Sequence, residues 1–293
     1  MVLLCAREHQ PACHTASTAR PEPLAPLIDA HTHLDACGAR DARDVAEVVD
    51  RAEAVGVRAV VTVADDLESA RWVTRATEWD PRVYAAVALH PTRADALTDA
   101  ARAEITELVA HPRVVAVGET GMDLYWPGRL DGCAQPVVQR EAFAWHIDLA
   151  KRTGKPLMIH NRQADREVLD VLRAEGAPDT VIFHCFSSGS AMARECVAAG
   201  WLLSLSGTVT FRNARDLREA VPLIPLEHVL VETDAPFLTP HPYRGTANEP
   251  YCLPYTVRAL AELVDRRPEE VAQITTSNAA RAYELGHTAG GWP

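Results

Sequence analysis

From residue 26 onward the chain alternates short, β-branched apolar runs with longer segments whose apolar positions recur at helical spacing. The short runs predict strands at 26–31, 58–64, 83–89, 113–118, 156–160, 180–184, 201–206 and 228–232. The longer segments predict helices at 41–55, 67–79, 95–110, 135–153, 164–175, 189–199, 213–221 and 254–264, and one or two more within 267–285. Gly56, Gly154 and Gly200 stand just past the last turn of their helices, where a left-handed residue ends a helix without strain. The strand runs are apolar throughout rather than alternating, the pattern of parallel strands buried on both faces. Eight strand–helix units in succession predict an α/β fold, a closed (β/α)8 TIM barrel with extra C-terminal helices. An open doubly wound sheet would advertise a glycine-rich phosphate turn after an early strand, and neither G-x-G-x-x-G nor G-x-x-x-x-G-K-[ST] occurs.

Residues 1–23 lack this patterning and any apolar stretch of signal-peptide kind, so they are expected to be a disordered extension. Residues 24–286 are expected to form the single barrel domain and 287–293 a flexible tail. No apolar run approaches the ~20 residues that cross a bilayer. The seven cysteines are scattered, without a C-x-x-C pair, which suits a reducing cytoplasm better than a disulfide framework. The formal charge is −11, and Lys151 and Lys155 are the only lysines. An acidic balance argues against a protein that coats duplex DNA through many phosphate contacts. It leaves room for an enzyme that grips a few phosphates in a metal-bearing pocket.

Barrel enzymes carry their reactive groups at the carboxyl ends of the strands. Here those positions hold His31 and His33, His90, Glu119, His160, His184 and Asp234. In an extended strand His31 and His33 share one face while Thr32 points away. The set divides between two divalent cations: His31, His33, Glu119 and Asp234 for one, Glu119, His160 and His184 for the other, with Glu119 bridging. Paired ions generate hydroxide at neutral pH and clamp attacking and leaving oxygens. Asp234 is also placed to accept a proton from the attacking water. Magnesium, manganese and zinc all suit such a carboxylate–imidazole set. Arg162 lies two residues past His160, and Arg244 lies in the proline-punctuated loop 235–253; both suit a phosphate. Cys185, next to His184, is expected to point to the opposite face and pack. His111, His146, His228 and His287 are read as surface or capping residues.

The blocks HTHLD at 31–35, HP at 90–91, GETGMD at 118–123, P-x-x-I-H-N-R at 156–162, HCFS at 184–187, ETDAPFL at 232–238 and RGTANEP at 244–250 together resemble the TatD family of metal-dependent hydrolases. The resemblance runs in order over about 26–285. It implies an amidohydrolase-like barrel and divalent-metal deoxyribonuclease activity, including trimming of 3′ ends. It also implies that His31, His33, Glu119, His160, His184 and Asp234 are metal ligands, with His90, Arg162 and Arg244 near the substrate. Neither lysine stands at a strand end, so the chain is similar to the glutamate-bridged branch rather than relatives that use a carboxylated lysine. Ser188 replaces a glycine usual after HCFS, and Met122 a usual leucine. The expectation is a cytoplasmic, monomeric enzyme acting on short or single-stranded DNA ends. Hydrolysis of a small amide, lactone or phosphoester is the enzymatic alternative, and a metal-binding scaffold the non-enzymatic one.

Overall fold

In a computed structural model of the chain, residues 19–24 and 26–285 are described. Eight parallel strands run β1 (Leu27–Thr32), β2 (Val57–Val63), β3 (Val83–Ala86), β4 (Val114–Asp123), β5 (Leu157–Arg162), β6 (Val181–Phe183), β7 (Leu202–Leu205) and β8 (Val229–Val231), paired in chain order. The intervening helices are α1 (Ala42–Glu53), α2 (Leu67–Trp79), α3 (Asp99–Val109), α4 (Pro136–Thr153), α5 (Asp165–Glu175), α6 (Ser190–Ala198), α7 (Arg215–Ala220) and α8 (Leu253–Leu263). The barrel is the expected one, and its strands are buried almost without interruption. Local chemistry sets the helix ends. Asp41 accepts from the Arg43 and Asp44 amides, Asp66 and Ser69 form a reciprocal capping box, and Gly154 ends α4 at φ 67°.

A single helix, α9 (Pro268–Ala282), follows the barrel. Its last turn packs Ala279, Ala282, Tyr283 and Leu285 against the barrel lumen beside Ile28, Val61 and Ile182. The Tyr283 hydroxyl donates to the Ala30 carbonyl at 3.0 Å. Asn278 bonds the carbonyls of Leu226 and Val229, and Thr276 that of Pro26, all at strand beginnings. Thus α9 closes the amino end of the barrel and leaves the carboxyl end for chemistry.

Two elements differ from the sequence reading. The helix expected over 95–110 begins at Asp99, because Pro91–Ala96 forms a 3-10 turn and Thr98 caps the helix proper by accepting from the Ala101 amide. The strand expected over 113–118 continues to Asp123, pairing Gly121 with His160 and Asp123 with Arg162. Glycines make this close approach feasible. A Cβ on Gly118 would lie 2.4 Å from the Met158 Cβ, and one on Gly121 would lie 2.1 Å from the His160 carbonyl oxygen.

The seam between β8 and β1 matters for function. It is joined above the strands, where the His33 amide donates to the Ala235 carbonyl at 2.8 Å and the Asp234 amide to the His31 carbonyl at 2.9 Å. The buried Asp29 carboxylate accepts from the Thr233 amide and hydroxyl. These bonds lock Asp234 beside the two β1 histidines. At the outer wall, the Ala19 and Glu22 carbonyls accept from Tyr255 and Arg258 of α8. Residues 1–18, most of the expected extension, and 286–293, which hold His287, lie outside the described residues. No helix among the described residues is long and apolar enough to cross a membrane.

Candidate metal centre

The strand ends bring six candidate ligands to one cleft at the carboxyl mouth, four of them histidines. Five are buried (His31, His33, Glu119, His184 and Asp234), and His160 is nearly so. Glu119 divides its carboxylate between two histidine pairs. Its Oε2 lies 2.8 Å from His184 Nε2 and 3.0 Å from His160 Nδ1. Its Oε1 lies 3.6 Å from both His31 Nε2 and His33 Nε2. Asp234 Oδ1 stands 3.5 Å from the same two nitrogens, which are 3.1 Å apart. His31 stacks on His184 with centroids 4.0 Å apart. Asp234 holds its position at φ 55°, left-handed backbone that non-glycine residues adopt mainly where the surroundings enforce it.

These donors fit a cation. Two ligands ~2.1 Å from one ion and ~90–110° apart are separated by roughly 3.0–3.4 Å. The His31–His33 separation falls in that range, and His31, His33 and Glu119 offer atoms that all lie within 4.8 Å of one another. The buried ionic balance agrees. Burial would raise the Glu119 pKa, but His184, His160 and His31 hold it well below the carboxylate range. Burial would lower His184, yet Glu119 and Glu232 hold it well above the usual imidazole value. Burial likewise opposes protonation of His33, but Asp65, Asp234 and Glu119 raise its pKa to about 10. His31 is driven well below the usual value by burial and by His184. The carboxylates of this site demand positive charge at its centre.

His90 completes the cleft wall. Its Nε2 faces His160 Nδ1 at 3.3 Å, and its Nδ1 accepts from the Thr92 amide at 3.2 Å. The same Nδ1 lies 2.7 Å from the Thr92 hydroxyl oxygen. His90, Glu119 and His160 also offer atoms that all lie within 4.8 Å of one another, a further group able to hold a cation. Burial and His160 lower the His90 pKa to about 3, so the ring is neutral. Arg162 also lines the cleft, its guanidinium 4.2 Å above the Tyr125 ring and 5.3 Å from that of Trp126. Arg244 is exposed, stacked 4.3 Å over Phe211 and bonded to Asn213, and is not among the cleft-lining residues.

Four side chains behave otherwise than expected, or had no role assigned. Cys185 faces the cleft, because φ 43° breaks the strand alternation after His184. Burial, Asp234 and Glu232 push its thiol pKa well up, so it is a neutral wall and not a nucleophile. Asp123 Oδ2 meets His160 Nε2 at 3.2 Å, and Glu232 Oε1 meets His184 Nδ1 at 3.4 Å. Asp123 follows Glu119 by four residues and Glu232 precedes Asp234 by two, an even spacing that marks both as facing the site. His146 is buried rather than superficial: its Nε2 accepts from the Leu89 amide and its Nδ1 faces the Ala142 carbonyl at 2.8 Å.

The family model for TatD related DNases matches residues 28–284. The chain belongs to the TatD family of metal-dependent hydrolases. It is 85% identical over 260 residues to a Mycobacterium tuberculosis relative described as the uncharacterized metal-dependent hydrolase TatD, covering 89% of this chain and 98% of that one. A Musicola paradisiaca relative, described as the 3′-5′ ssDNA/RNA exonuclease TatD, is 32% identical over 247 residues, covering 82% and 91%. Among solved structures, the Escherichia coli TatD homologue YJJV superposes with a TM-score of 0.80 at 28% identity, covering 88% of this chain and 98% of that one.

Proposed function

We propose that this TatD-family chain is a deoxyribonuclease that uses two divalent cations and removes nucleotides from the 3′ end of single-stranded DNA. The observation that carries the reading is Glu119, whose two oxygens point one to each histidine pair. A bridging carboxylate has little purpose beside a single ion. The name of the M. paradisiaca relative supports a single-stranded substrate. His31, His33 and Asp234 would hold one cation and His160 and His184 the other, with Glu119 shared. Such ions supply Lewis acidity that generates hydroxide near neutral pH and neutralises charge on the phosphoryl oxygens.

The chain's own groups do the rest. Asp234, whose side chain is 12% exposed, accepts the proton of the attacking water. Arg162 offers its edge N–H groups to the phosphate while the Tyr125 ring holds the guanidinium plane. His90 contacts a substrate oxygen. Arg244, on Phe211, meets phosphates farther along the strand. Magnesium, manganese and zinc are all compatible with the donors.

Purified protein loaded with Mg²⁺ or Mn²⁺ should shorten 3′-exposed single-stranded oligonucleotides, and Glu119→Ala or Asp234→Asn should abolish the activity while the fold is kept. Undiminished activity in both variants would overturn the reading. Inert DNA together with turnover of lactones, amides or small phosphoesters would move the assignment to the same centre acting on small molecules.

A further inference from the structure

Each histidine of the centre has one ring nitrogen facing the ligands and one facing the protein behind it. What stands behind differs between the two pairs. His160 turns Nε2 to Asp123 Oδ2 at 3.2 Å, and His184 turns Nδ1 to Glu232 Oε1 at 3.4 Å. Both carboxylates are wholly buried, at 0% exposure. His31 instead turns Nδ1 to the Met158 thioether at 3.2 Å, and His33 turns Nδ1 to the Val63 carbonyl at 3.1 Å. The nearest carboxylate behind His33, that of Asp65, is 3.9 Å away, beyond hydrogen-bond reach. One pair is backed by carboxylates at 3.2–3.4 Å, whereas the other meets neutral atoms at that range and a carboxylate, that of Asp65 behind His33, only at 3.9 Å.

We infer that Asp123 and Glu232 are positioning residues that set cation affinity at the His160–His184 position alone. The His31–His33 position depends instead on its directly facing Asp234. The inference rests on the two-cation reading above. A carboxylate behind a ligating imidazole fixes the tautomer and ring angle and makes the front nitrogen a stronger donor, and losing it lowers metal affinity by roughly 10–100-fold.

Both carboxylates are held for this task. Asp123 Oδ1 accepts from the Tyr125 and Trp126 amides at 2.9 and 3.0 Å, which leaves Oδ2 for His160. Its backbone is clamped on both sides by the Gln139 amide. Glu232 Oε1 accepts from the Cys185 amide at 2.7 Å, while its buried Oε2 has no hydrogen-bond partner. His184 Nδ1 also lacks a well-aligned partner. A buried carboxylate left with an open acceptor beside an imidazole is explained by charge at that ring's far nitrogen. The contacts made by Glu119 and Asp234 at the front of the site do not explain it.

Asp123→Asn is the sharp test. Asparagine keeps an oxygen for the Tyr125 and Trp126 amides and turns an N–H toward His160 Nε2. That nitrogen must then accept, which moves the ring proton to Nδ1, the atom that has to present its lone pair. Zn²⁺ and Mn²⁺ titrations of the ion-free full chain, by calorimetry and by metal analysis after dialysis, should give two ions per chain for the native protein. Asp123→Asn should weaken one class of site 10–100-fold and leave the other within about twofold, at an unchanged ion-free melting temperature. Glu232→Gln, which keeps the acceptor for Cys185 and loses the charge, should weaken the same class by roughly tenfold, toward the lower end of that range. Equal weakening of both classes, or no weakening in folded variants, overturns the inference. One ion or none at saturation in the native protein is a different result, because it overturns the two-cation reading and the inference with it.

Discussion

At the residue scale the centre depends on backbone positions as much as on ligands. Gly121 stands at φ 138° with the His160 carbonyl where a side chain would begin. Gly121→Ala therefore has to push β5 away from β4 and carry His160 with it. The expected outcome is a folded but destabilised protein, by about 1–3 kcal/mol, with metal content and hydrolysis lost together. Thermal melting and metal analysis check it, and full metal content would refute it. His146 gives a second prediction, remote from the ligands. Burial lowers its pKa to about 4, against the raising effect of the Ala142 carbonyl and with a smaller lowering contribution from Arg102. A depressed imidazole pKa means protonation favours the unfolded chain. Its stabilising effect is full above about pH 6.5 and is lost as pH falls toward 4. At ~1.4 kcal/mol per pKa unit, this group accounts for about 3 kcal/mol of acid sensitivity. His146→Gln should flatten the stability curve between pH 4 and 6.5 in denaturant titrations, and an unchanged slope would assign the acid sensitivity elsewhere. Sequence alone placed His146 at the surface, because helical spacing marks a face without saying how deeply a helix of this length is buried. The cluster of candidate ligands was legible because strand ends are fixed positions in a barrel. Asp123 and Glu232 were visible only as letters of a motif, since their role depends on which ring nitrogen faces them.

At the element scale, continuous apolar runs located every strand to within a few residues, because parallel strands buried on both faces admit little else. β4 shows the limit of that signal. Gly118, Glu119, Gly121 and Asp123 carry no β preference, and the strand continues through them by pairing with β5, a tertiary cause. The extra helix α9 was legible as a helix but not as a plug. Tyr283 fills the lumen at 3% exposure and caps the Ala30 carbonyl. Tyr283→Phe should cost about 1 kcal/mol, the loss of one buried hydrogen bond. Tyr283→Ala should cost about 3–5 kcal/mol by leaving a cavity at the closed end of the barrel. Equilibrium unfolding resolves the two, and equal, small losses would show that α9 does not seal the lumen.

At the scale of the whole molecule, the net charge of −11 and the cationic demand of the centre pull in opposite directions. Under the proposed function a chain this acidic would hold DNA by few contacts, and Arg162 is the one arginine among the cleft-lining residues. The dependence of the apparent affinity for single strands on salt should therefore be shallow, with a log–log slope of about −1 to −2 for one to three phosphate contacts. The same balance governs stability. Without an ion, burial disfavours charge on His184 and His33, yet the surrounding carboxylates hold His184 well above its usual value and His33 at about 10. Raised imidazole pKa values stabilise the fold below about pH 6.5, and that stabilisation is lost as pH climbs toward 10. Over the same range a divalent cation has fewer protons to displace, so its apparent affinity rises. The ion should thus take over a stabilising role that protons play at lower pH. A chelator should depress the melting temperature more at pH 8.5 than at pH 6.5. With the ion at 100 times its Kd at pH 8.5, the stabilisation that the chelator removes there is about 2.7 kcal/mol, or several degrees for a chain of this size, and less is removed at pH 6.5. A chelator effect that is flat, or larger at pH 6.5, would mean that protons and cations do not compete for the ring nitrogens of His33 and His184.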